Sequence, residues 1–277
     1  MSELPSSNLP AYNKGAPRLQ SHNRPLSHFV VAAANDQWLL TAGMKLSARL
    51  TGKQAVIFDM DGVLVDSEPL HDGSFQRVAA EIGHADHGLH FPDYLGRSDK
   101  VLWQDFLSRH QSPHRLEDLI ARKAEVFLKA IRRRVPIYPG LYKLLRDLQP
   151  RYRLALVSGS SRQVVDAVVS GAGIESFFAV RVSADDVKNC KPDPEGFLKA
   201  ARFLHIVPRQ CVVIEDSAGG VEAAHRAGMV AVAITNSLPR SKLSRADYIV
   251  TSYGQIRLLL LASNPGGPLR RKKKTTL

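Results

Sequence analysis

The sequence predicts an α/β fold, a doubly wound parallel sheet with an inserted α-helical cap. Three observations support this prediction. Short apolar segments rich in β-branched residues recur along the chain, helical patterns separate most of them, and residues 61–152 carry almost no strand signal. Continuous apolar strands that alternate with helices indicate a parallel sheet covered on both faces.

The strands are predicted from their unbroken apolar runs, each followed by polar or turn-forming residues. The first run, AVIFDM, is typical of a buried central strand. The predicted strands are 55–60, 153–158, 211–216, 230–235 and 247–250, with a weaker one at 178–183.

The helices between these strands are predicted from apolar residues at helical spacing. In 139–149 the residues on one face are Leu141, Leu144, Leu145 and Leu148. The pattern of 161–173 ends in glycines, which are common at helix ends. Two further patterns of this type cover 193–204 and 217–229. We therefore expect a helix between successive strands.

The segment without strand signal predicts a separate helical unit. Its helical patterns cover 70–83, 99–110 and 115–134. The last of these carries apolar residues at helical spacing, namely Leu116, Leu119, Ile120, Val126 and Phe127. A segment of this length is too long for a loop, so we expect a cap at 70–136 within a core of 51–69 and 137–263.

Charge and composition limit the function classes. The net charge is +12, of which residues 1–50 supply +3 and residues 264–277 supply +5. Because the basic residues concentrate in a predicted flexible leader (1–50) and a basic tail (264–277), the sequence does not favour nucleic-acid binding as the primary function. Scattered Arg and Ser with few acids leave organelle targeting as an alternative role for the leader.

Location and assembly are predicted from what the sequence lacks. Cys190 and Cys211 are too few for a disulfide framework, which favours a cytoplasmic protein. No apolar run reaches the length of a membrane span, the nearest being 28–34 and 256–262, so we expect no membrane partner. A sheet covered by its own helices favours a monomer.

Carboxylates follow two of the predicted strands. Asp59 and Asp61 end the first strand, Glu215 and Asp216 end the strand at 211–216, and a polar Ser158 ends the strand at 153–158. Since ligands of open α/β sheets bind at the carboxyl ends of the strands, we expect these side chains to converge. Four converging carboxylates require a cation, and oxygen ligands suit Mg²⁺, which predicts a magnesium site.

An anion site is predicted beside these carboxylates. Ser158, Gly159 and Ser160 precede a helix and offer hydroxyl and backbone N–H donors. Lys191 lies shortly before another helix and adds a positive charge. A metal ion beside an anion site indicates phosphoryl transfer, in which positioning and charge neutralisation perform most of the catalysis.

Four segments resemble the motifs of the haloacid dehalogenase-like superfamily, in the right order. They are DMDGVLVDS, VSGSS, KPDPEGF and VIEDSAGGVEAAHRAGM, and the resemblance extends over residues 53–255. A helical cap directly after the first motif resembles the branch of β-phosphoglucomutases and phosphatases. This resemblance implies a Rossmann-like core, a Mg²⁺ cofactor and a small phosphorylated metabolite as substrate.

The resemblance also implies roles for single residues. Asp59 would be the nucleophile that takes the phosphoryl group as an aspartyl-phosphate. Asp61 would be the general acid and base, with its backbone carbonyl on the metal. Ser158 and Lys191 would hold the phosphoryl oxygens, and Asp216, supported by Glu215, would complete the metal shell. In the cap, His71 and Arg97 are candidates for contact with the substrate.

Simpler interpretations stand beside these roles. Asp61–Gly62 is also a common turn signal, Ser158 could be a helix cap, and Lys191 could be an exposed lysine before a turn. His71 could be an ordinary surface histidine. His84, His87 and His90 are spaced three apart, but a polar cap loop is the favoured interpretation because no Cys or second cluster accompanies them.

The choice between hydrolase and mutase depends on the cap. A phosphosugar mutase must hold a second phosphate and exclude water. Mutases of this branch carry an Arg directly after the Ser of the cap loop, where this chain has Asp99, although Arg97 or Lys100 could replace it. We therefore expect a Mg²⁺-dependent phosphomonoester hydrolase, with a β-phosphoglucomutase-like mutase as the alternative. Asp61 and Asp216 argue against a true haloacid dehalogenase.

Overall fold

The computed structural model describes residues 48–264. Most of the predicted leader and all but one residue of the basic tail lie outside these residues. The described chain forms a parallel six-stranded sheet flanked by helices, which confirms the predicted fold class. The strands are β1 (Ala55–Phe58), β2 (Arg153–Val157), β3 (Val180–Val182), β4 (Cys211–Glu215), β5 (Val230–Ile234) and β6 (Tyr248–Val250).

The strand order is β3-β2-β1-β4-β5-β6, which places β1 at the centre of the sheet. All four residues of β1 are buried, as expected for a strand covered on both faces. After β1 the chain builds β2 and β3 on one side and β4 to β6 on the other. The carboxyl end of β1 is therefore the topological switch point, where open α/β sheets bind their ligands.

Five helices cover the two faces of the sheet in the described residues. They are α4 (Leu141–Leu148), α5 (Arg162–Gly171), α6 (Glu195–Leu204), α7 (Ala218–Arg226) and α8 (Tyr253–Ser263). Apolar residues of α4, α5 and α8 pack on one face, and those of α6 and α7 pack on the other. The first four of these helices confirm the sequence prediction, within two or three residues at most ends.

Helix α8 was not predicted. Four consecutive leucines at positions 258–261 hide any amphipathic period. From the sequence alone, the run 256–262 indicates only an apolar segment that is too short to span a membrane. In the structure Ile256, Leu259 and Leu260 are buried against the sheet, and the Tyr152 hydroxyl donates to the Leu260 carbonyl at 2.7 Å. The helix thus closes the core that contains β1.

The inserted segment is helical, as predicted. Its helices are α1 (Glu68–Glu81), α2 (Asp99–His110) and α3 (Leu116–Ile131). They share an apolar cluster in which Phe75, Trp103 and Phe106 meet edge to face. The second half of α3 turns to the core instead, where Phe127 and Ile131 pack against the sheet side. The predicted domain boundaries stay a prediction, because α3 packs in both units.

Two adjacent stretches of chain connect the cap to the core. The Asp66 N–H donates to the Pro136 carbonyl at 2.8 Å, and Val65 forms an antiparallel bridge with Ile137. The chain therefore leaves and re-enters the core at one place, next to the carboxyl end of β1. No helix in the described part of the chain has the length and apolar character needed to cross a membrane.

Candidate active site

A cavity lies between the carboxyl end of β1 and the cap. Its floor comes from the core and includes Asp59, Asp61 and Lys191. Its roof comes from the segment around the 3₁₀ helix Phe91–Tyr94 and the start of α2. The topological switch point and the predicted polar residues thus coincide.

A buried ion-pair network forms the floor. The Lys191 Nζ lies 2.6 Å from Asp59 Oδ1 and 2.5 Å from Glu215 Oε1. Burial raises the pKa of Asp59 to about 8, with Lys191 opposing this shift and Glu215 and Asp61 adding to it. Burial by itself would lower the pKa of Lys191, but the two carboxylates hold it above its usual range. Lys191 is therefore charged and held between two carboxylates.

Glu215 also organises the first turn of α7. Its Oε2 accepts hydrogen bonds from the Asp216 N–H at 2.9 Å, the Ser217 N–H at 2.8 Å and the Ser217 hydroxyl at 2.8 Å. A Cβ at Gly220 would lie 1.8 Å from Glu215 Oε1, so only glycine fits there. Both Glu215 oxygens are engaged by protein donors, and its carboxylate holds Lys191 and this turn together.

The site offers a set of ligands for a divalent cation. Oxygen atoms of Asp59, Glu215 and Asp216 lie within 4.8 Å of one another, and all three residues are buried. Asp216 Oδ2 is buried and has no hydrogen-bond partner among residues 48–264. Three buried carboxylates with one ammonium group need a further positive charge, and carboxylate oxygens are the ligands of hard cations. The residues therefore fit a divalent metal ion.

Gly62 keeps the Asp216 carboxylate in its position. Its φ of +72° lies in the left-handed region, and a Cβ at this position would lie 1.7 Å from Asp216 Oδ2. Burial raises the pKa of Asp216 well above its usual value, and the neighbouring Glu215 and Asp59 add to the shift. The backbone of the turn after β1 thus packs directly against the Asp216 carboxylate.

The side chain of Asp61 is held by four hydrogen-bond donors. Its Oδ1 accepts from the Ser67 hydroxyl at 2.5 Å and lies 3.1 Å from His71 Nε2. Its Oδ2 accepts from the hydroxyls of Ser158 and Ser160, each at 3.2 Å. Burial opposes ionisation, but His71, followed by Ser67 and Ser160, holds the pKa of Asp61 well below its usual range. Asp61 is therefore ionised here and can accept a proton.

A buried lysine determines which ring nitrogen of His71 accepts a hydrogen bond. Lys123 Nζ lies 3.0 Å from His71 Nδ1 and 2.5 Å from Asp99 Oδ1. Because an ammonium group only donates, Nδ1 must accept and the proton of a neutral imidazole sits on Nε2, which then donates to Asp61. The His71 ring stacks on Phe127 at 4.1 Å. A chain of contacts thus links Asp99 in the cap to Asp61 in the core.

The cap loop packs against the core. Gly96 has φ +75°, and a Cβ at this residue would lie 2.2 Å from the Ser217 hydroxyl. On the other side, a Cβ at Gly159 would lie 3.6 Å from the Arg97 carbonyl. The loop therefore covers the phosphate-binding segment predicted at 158–160, and the cavity is closed on this side.

The predicted site residues fall into two groups. Those of the core meet at the cavity floor or directly behind it, namely Asp59, Asp61, Ser158, Gly159, Ser160, Lys191, Glu215 and Asp216. In the cap, His71 and Arg97 line the cavity, whereas Lys100 is exposed and does not. Their functional roles stay predictions.

The three cap histidines do not form a metal site. His87 and His110 are linked through the His87 carbonyl at 2.9 Å, and the His84 ring packs on that of His110. Within residues 48–264, only Asp59, Glu215 and Asp216 form a group of three or more possible metal ligands. The polar-loop interpretation of these histidines is the one that fits.

Two functional features were missed from the sequence. Glu68 lines the cavity, and burial together with Asp61 and Asp59 raises its pKa to about 8. Lys123 is 1% exposed. It occupies a buried position of α3, between Leu119 and Phe127 at spacings of four residues, and this spacing is the signal that could have identified it.

Comparison with known proteins agrees with this geometry. A family model described as a haloacid dehalogenase-like hydrolase matches residues 53–228. The chain is 34% identical over 178 residues to a phosphorylated carbohydrates phosphatase of Thermotoga maritima, covering 64% of this chain and 82% of that protein. It is 31% identical over 182 residues to a fructose-1-phosphate phosphatase of Escherichia coli, covering 64% and 94%.

The fold is also similar to that of solved structures. A β-phosphoglucomutase from Clostridium difficile superposes with a TM-score of 0.68 at 25% identity, covering 77% of this chain and 98% of that one. The family model covers more than half of the chain and includes the core residues of the site. The chain therefore belongs to the haloacid dehalogenase-like hydrolases, in the capped branch that contains phosphatases and β-phosphoglucomutases.

Proposed function

We propose that the protein is a Mg²⁺-dependent phosphomonoester hydrolase that acts on a small phosphorylated metabolite, a sugar phosphate or a similar compound. The observation that carries this proposal is the buried set of Asp59, Glu215 and Asp216 at the floor of the cavity and directly behind it, with Lys191 in contact with two of them. The two relatives named as phosphatases of phosphorylated carbohydrates and of fructose 1-phosphate support the substrate class.

Asp59 is the proposed nucleophile. An oxygen of its carboxylate attacks phosphorus, the new O–P bond forms as the ester O–P bond breaks, and an aspartyl-phosphate results. Lys191, at 2.6 Å, fixes the orientation of the carboxylate and supplies positive charge for the phosphoryl oxygens. Water then attacks the same phosphorus and releases phosphate, which restores the carboxylate.

Asp61 is the proposed proton carrier. It passes a proton from the phosphate monoanion of the substrate to the leaving alcohol oxygen in the first step. In the second step it takes a proton from the attacking water and returns it to the released phosphate, so Asp61 begins and ends ionised. Its hydrogen bonds from Ser67, His71, Ser158 and Ser160 stabilise the ionised form, which is the form that accepts the proton from water. His71, whose Nε2 lies 3.1 Å from Asp61 Oδ1, keeps this carboxylate in place.

Asp59 and Asp216 are the proposed side-chain ligands of Mg²⁺, with the Asp61 backbone carbonyl as a third ligand and Glu215 as support. When bound, the ion supplies the positive charge that keeps Asp59 ionised and neutralises the phosphoryl oxygens. The unpartnered Asp216 oxygen supports this assignment. Ser158, Gly159 and Ser160 hold the phosphoryl group through hydroxyl and N–H donors.

The proposal is tested by phosphate release from sugar phosphates, nucleotides and p-nitrophenyl phosphate, with Mg²⁺ or a chelator. We expect release that depends on Mg²⁺ and that is lost in Asp59→Asn. The matched control is Asp72→Asn, because Asp72 accepts a hydrogen bond from Gln76 one turn along α1 and does not line the cavity. Release that persists in Asp59→Asn, or that ignores the chelator, would contradict the mechanism.

A phosphosugar mutase is the second candidate, since the superposition on a β-phosphoglucomutase favours it. The same samples receive β-glucose 1-phosphate with a trace of glucose 1,6-bisphosphate and are assayed for glucose 6-phosphate. Glucose 6-phosphate without free phosphate would establish the mutase. The acidic Asp99 on the roof of the cavity supports the hydrolase, because a mutase must hold a second phosphate there.

A further inference from the structure

The charges on the cavity wall indicate which chemical groups the non-reacting part of the substrate can carry. We infer that Asp99 makes the cavity select monophosphates whose remaining part is uncharged and hydroxylated, and discriminate against compounds with a second anionic group. This inference rests on the proposed phosphatase function, which it extends to a substrate class. Asp99 is thus a specificity-determining residue.

Carboxyl side chains outnumber basic ones on the wall, and among them Asp99 lies away from the phosphoryl end, whereas the raised pKa of Glu68 favours its neutral form. The carboxylates that line the cavity are Asp59, Asp61, Glu68 and Asp99, and its cationic side chains in the described part of the chain are Lys191 and Arg97. Lys191 already contacts Asp59 and Glu215 at the phosphoryl end. A second anion on the substrate would therefore depend on Arg97, an exposed residue only two positions from Asp99.

The one buried lysine of the cap does not change this balance. Lys123 is 1% exposed and does not line the cavity, because it lies behind Asp99 and His71. The Asp99 side chain remains 32% exposed while its Oδ1 contacts Lys123. The Asp99 carboxylate therefore faces the cavity, whereas the Lys123 ammonium group is buried within the cap and contacts Asp99 and His71.

Asp99 also offers positive selection for hydroxyl groups. A carboxylate accepts hydrogen bonds and cannot donate them, so its partner must carry a donor. Asp99 begins α2, whose Leu102 lines the cavity together with Phe91 and Tyr94, and these apolar surfaces suit the C–H face of a polyol or sugar. A carboxylate or phosphate at this place would leave Asp99 facing a like charge.

Two pairs of compounds test the selection. Glycerol 3-phosphate and 3-phosphoglycerate differ only by CH₂OH against COO⁻, as do sorbitol 6-phosphate and 6-phosphogluconate. Each is measured as a competitor of p-nitrophenyl phosphate hydrolysis at fixed free Mg²⁺, and as a substrate by kcat/KM. We expect the uncharged member of each pair to bind about tenfold more tightly than the anionic member.

Variants locate the cause. Asp99→Asn keeps the size of the side chain and should reduce the tenfold ratio to about twofold, while Arg97→Gln should increase the ratio. Arg97→Gln keeps the test decisive if Asp99→Asn folds poorly, since Arg97 is exposed. The matched control is Asp93→Asn, an acid on the same cap segment with 76% side-chain exposure that does not line the cavity.

The outcomes separate this inference from the proposed function. Equal binding within both pairs, no binding of the uncharged members, or an unchanged ratio in both Asp99→Asn and Arg97→Gln would overturn the role of Asp99. Loss of activity in Asp99→Asn with the wild-type ratio would likewise show that Asp99 only supports Lys123 and His71. Absence of any p-nitrophenyl phosphate hydrolysis would instead contradict the phosphatase itself.

Discussion

The two halves of the cavity are built in different ways. The core half consists of buried side chains at strand ends and in the loop before α6, and most of them are paired within the core, as Asp59 and Glu215 are with Lys191. The cap half consists of partly exposed side chains such as Arg97 and Asp99 on a loop and a helix start. The core half is thus fixed by backbone topology, and the cap half by packing between helices.

Under the proposed function, the core half performs the reaction and the cap half selects the substrate. A substitution in the buried ion-pair network of the core half costs stability, because removal of one partner leaves another buried charge uncompensated. A partly exposed side chain can change with a small effect on stability, because water replaces the lost partner. We therefore expect substitutions in the core half to abolish activity and substitutions in the cap half to alter it.

The largest effect is expected for Lys191→Met. It removes the charge between Asp59 and Glu215, so phosphate release should fall about 10²–10³-fold and the free energy of unfolding by about 3–5 kcal/mol in the presence of a chelator. Phosphate assays and denaturant unfolding measure the two effects. The control is Lys188→Met, an exposed lysine in the same loop. Near-wild-type activity of Lys191→Met would contradict the assignment of the core half.

The next effect is expected for Gly62→Ala, compared with Gly228→Ala. Both glycines have φ +72°, but a Cβ at Gly228 meets nothing within 4 Å, whereas one at Gly62 meets Asp216. Both variants should lose about 1–2 kcal/mol of stability through backbone strain. Only Gly62→Ala should need about 10–100-fold more Mg²⁺ for half-maximal activity. Equal Mg²⁺ requirements would show that Asp216 does not hold the metal.

A smaller effect is expected at the junction of the two halves. His71→Phe keeps the stacking on Phe127 but removes the Nε2–H donor to Asp61, so kcat should fall about tenfold with little change in KM. His71→Gln, whose amide can donate to Asp61, should restore part of the rate. If both variants lose the same activity, the hydrogen bond to Asp61 is not the relevant contact.

The smallest effect on activity is expected deep in the cap. Trp103 is fully buried in the cap cluster, and its Nε1 has no hydrogen-bond partner within residues 48–264. Trp103→Phe breaks no hydrogen bond among these residues but leaves a void, so it should lower the free energy of unfolding by about 1–3 kcal/mol. Because Trp103 does not line the cavity, kcat should stay within about twofold of wild type. Urea unfolding followed by circular dichroism, beside the phosphate assay, measures both. A large loss of activity with unchanged stability would make the cap interior part of the catalytic machinery.

The sequence predicts the core half because strand ends are local features. The positions of Asp59, Ser158 and Glu215 follow from apolar runs that end in polar residues, and parallel strands bring such ends together. Helix α8 was not predicted because its consecutive leucines do not fall on one face of a helix. Its burial depends on the sheet surface that it covers, which no local pattern contains.

The cap half could be predicted only in part, because its contacts join residues from different helices. Asp99 meets Lys123 through the packing of α2 on α3, and Gly96 meets Ser217 through the position of the cap on the core. A lysine at a buried helix position indicates that a charged partner is present, but the sequence does not show which residue the partner is. The sequence therefore predicts the helices of the cap but not the residues that they bring to the cavity.

The attachment of the cap at one place bears on how such enzymes diversify. The hydrogen bond from Asp66 to Pro136 and the bridge from Val65 to Ile137 hold the ends of the inserted segment together from the core side. The entropy of closing the inserted loop therefore grows only slowly with the length of the insertion. An insertion of another length could therefore begin and end at the same place and leave the strand ends of the core half where they are.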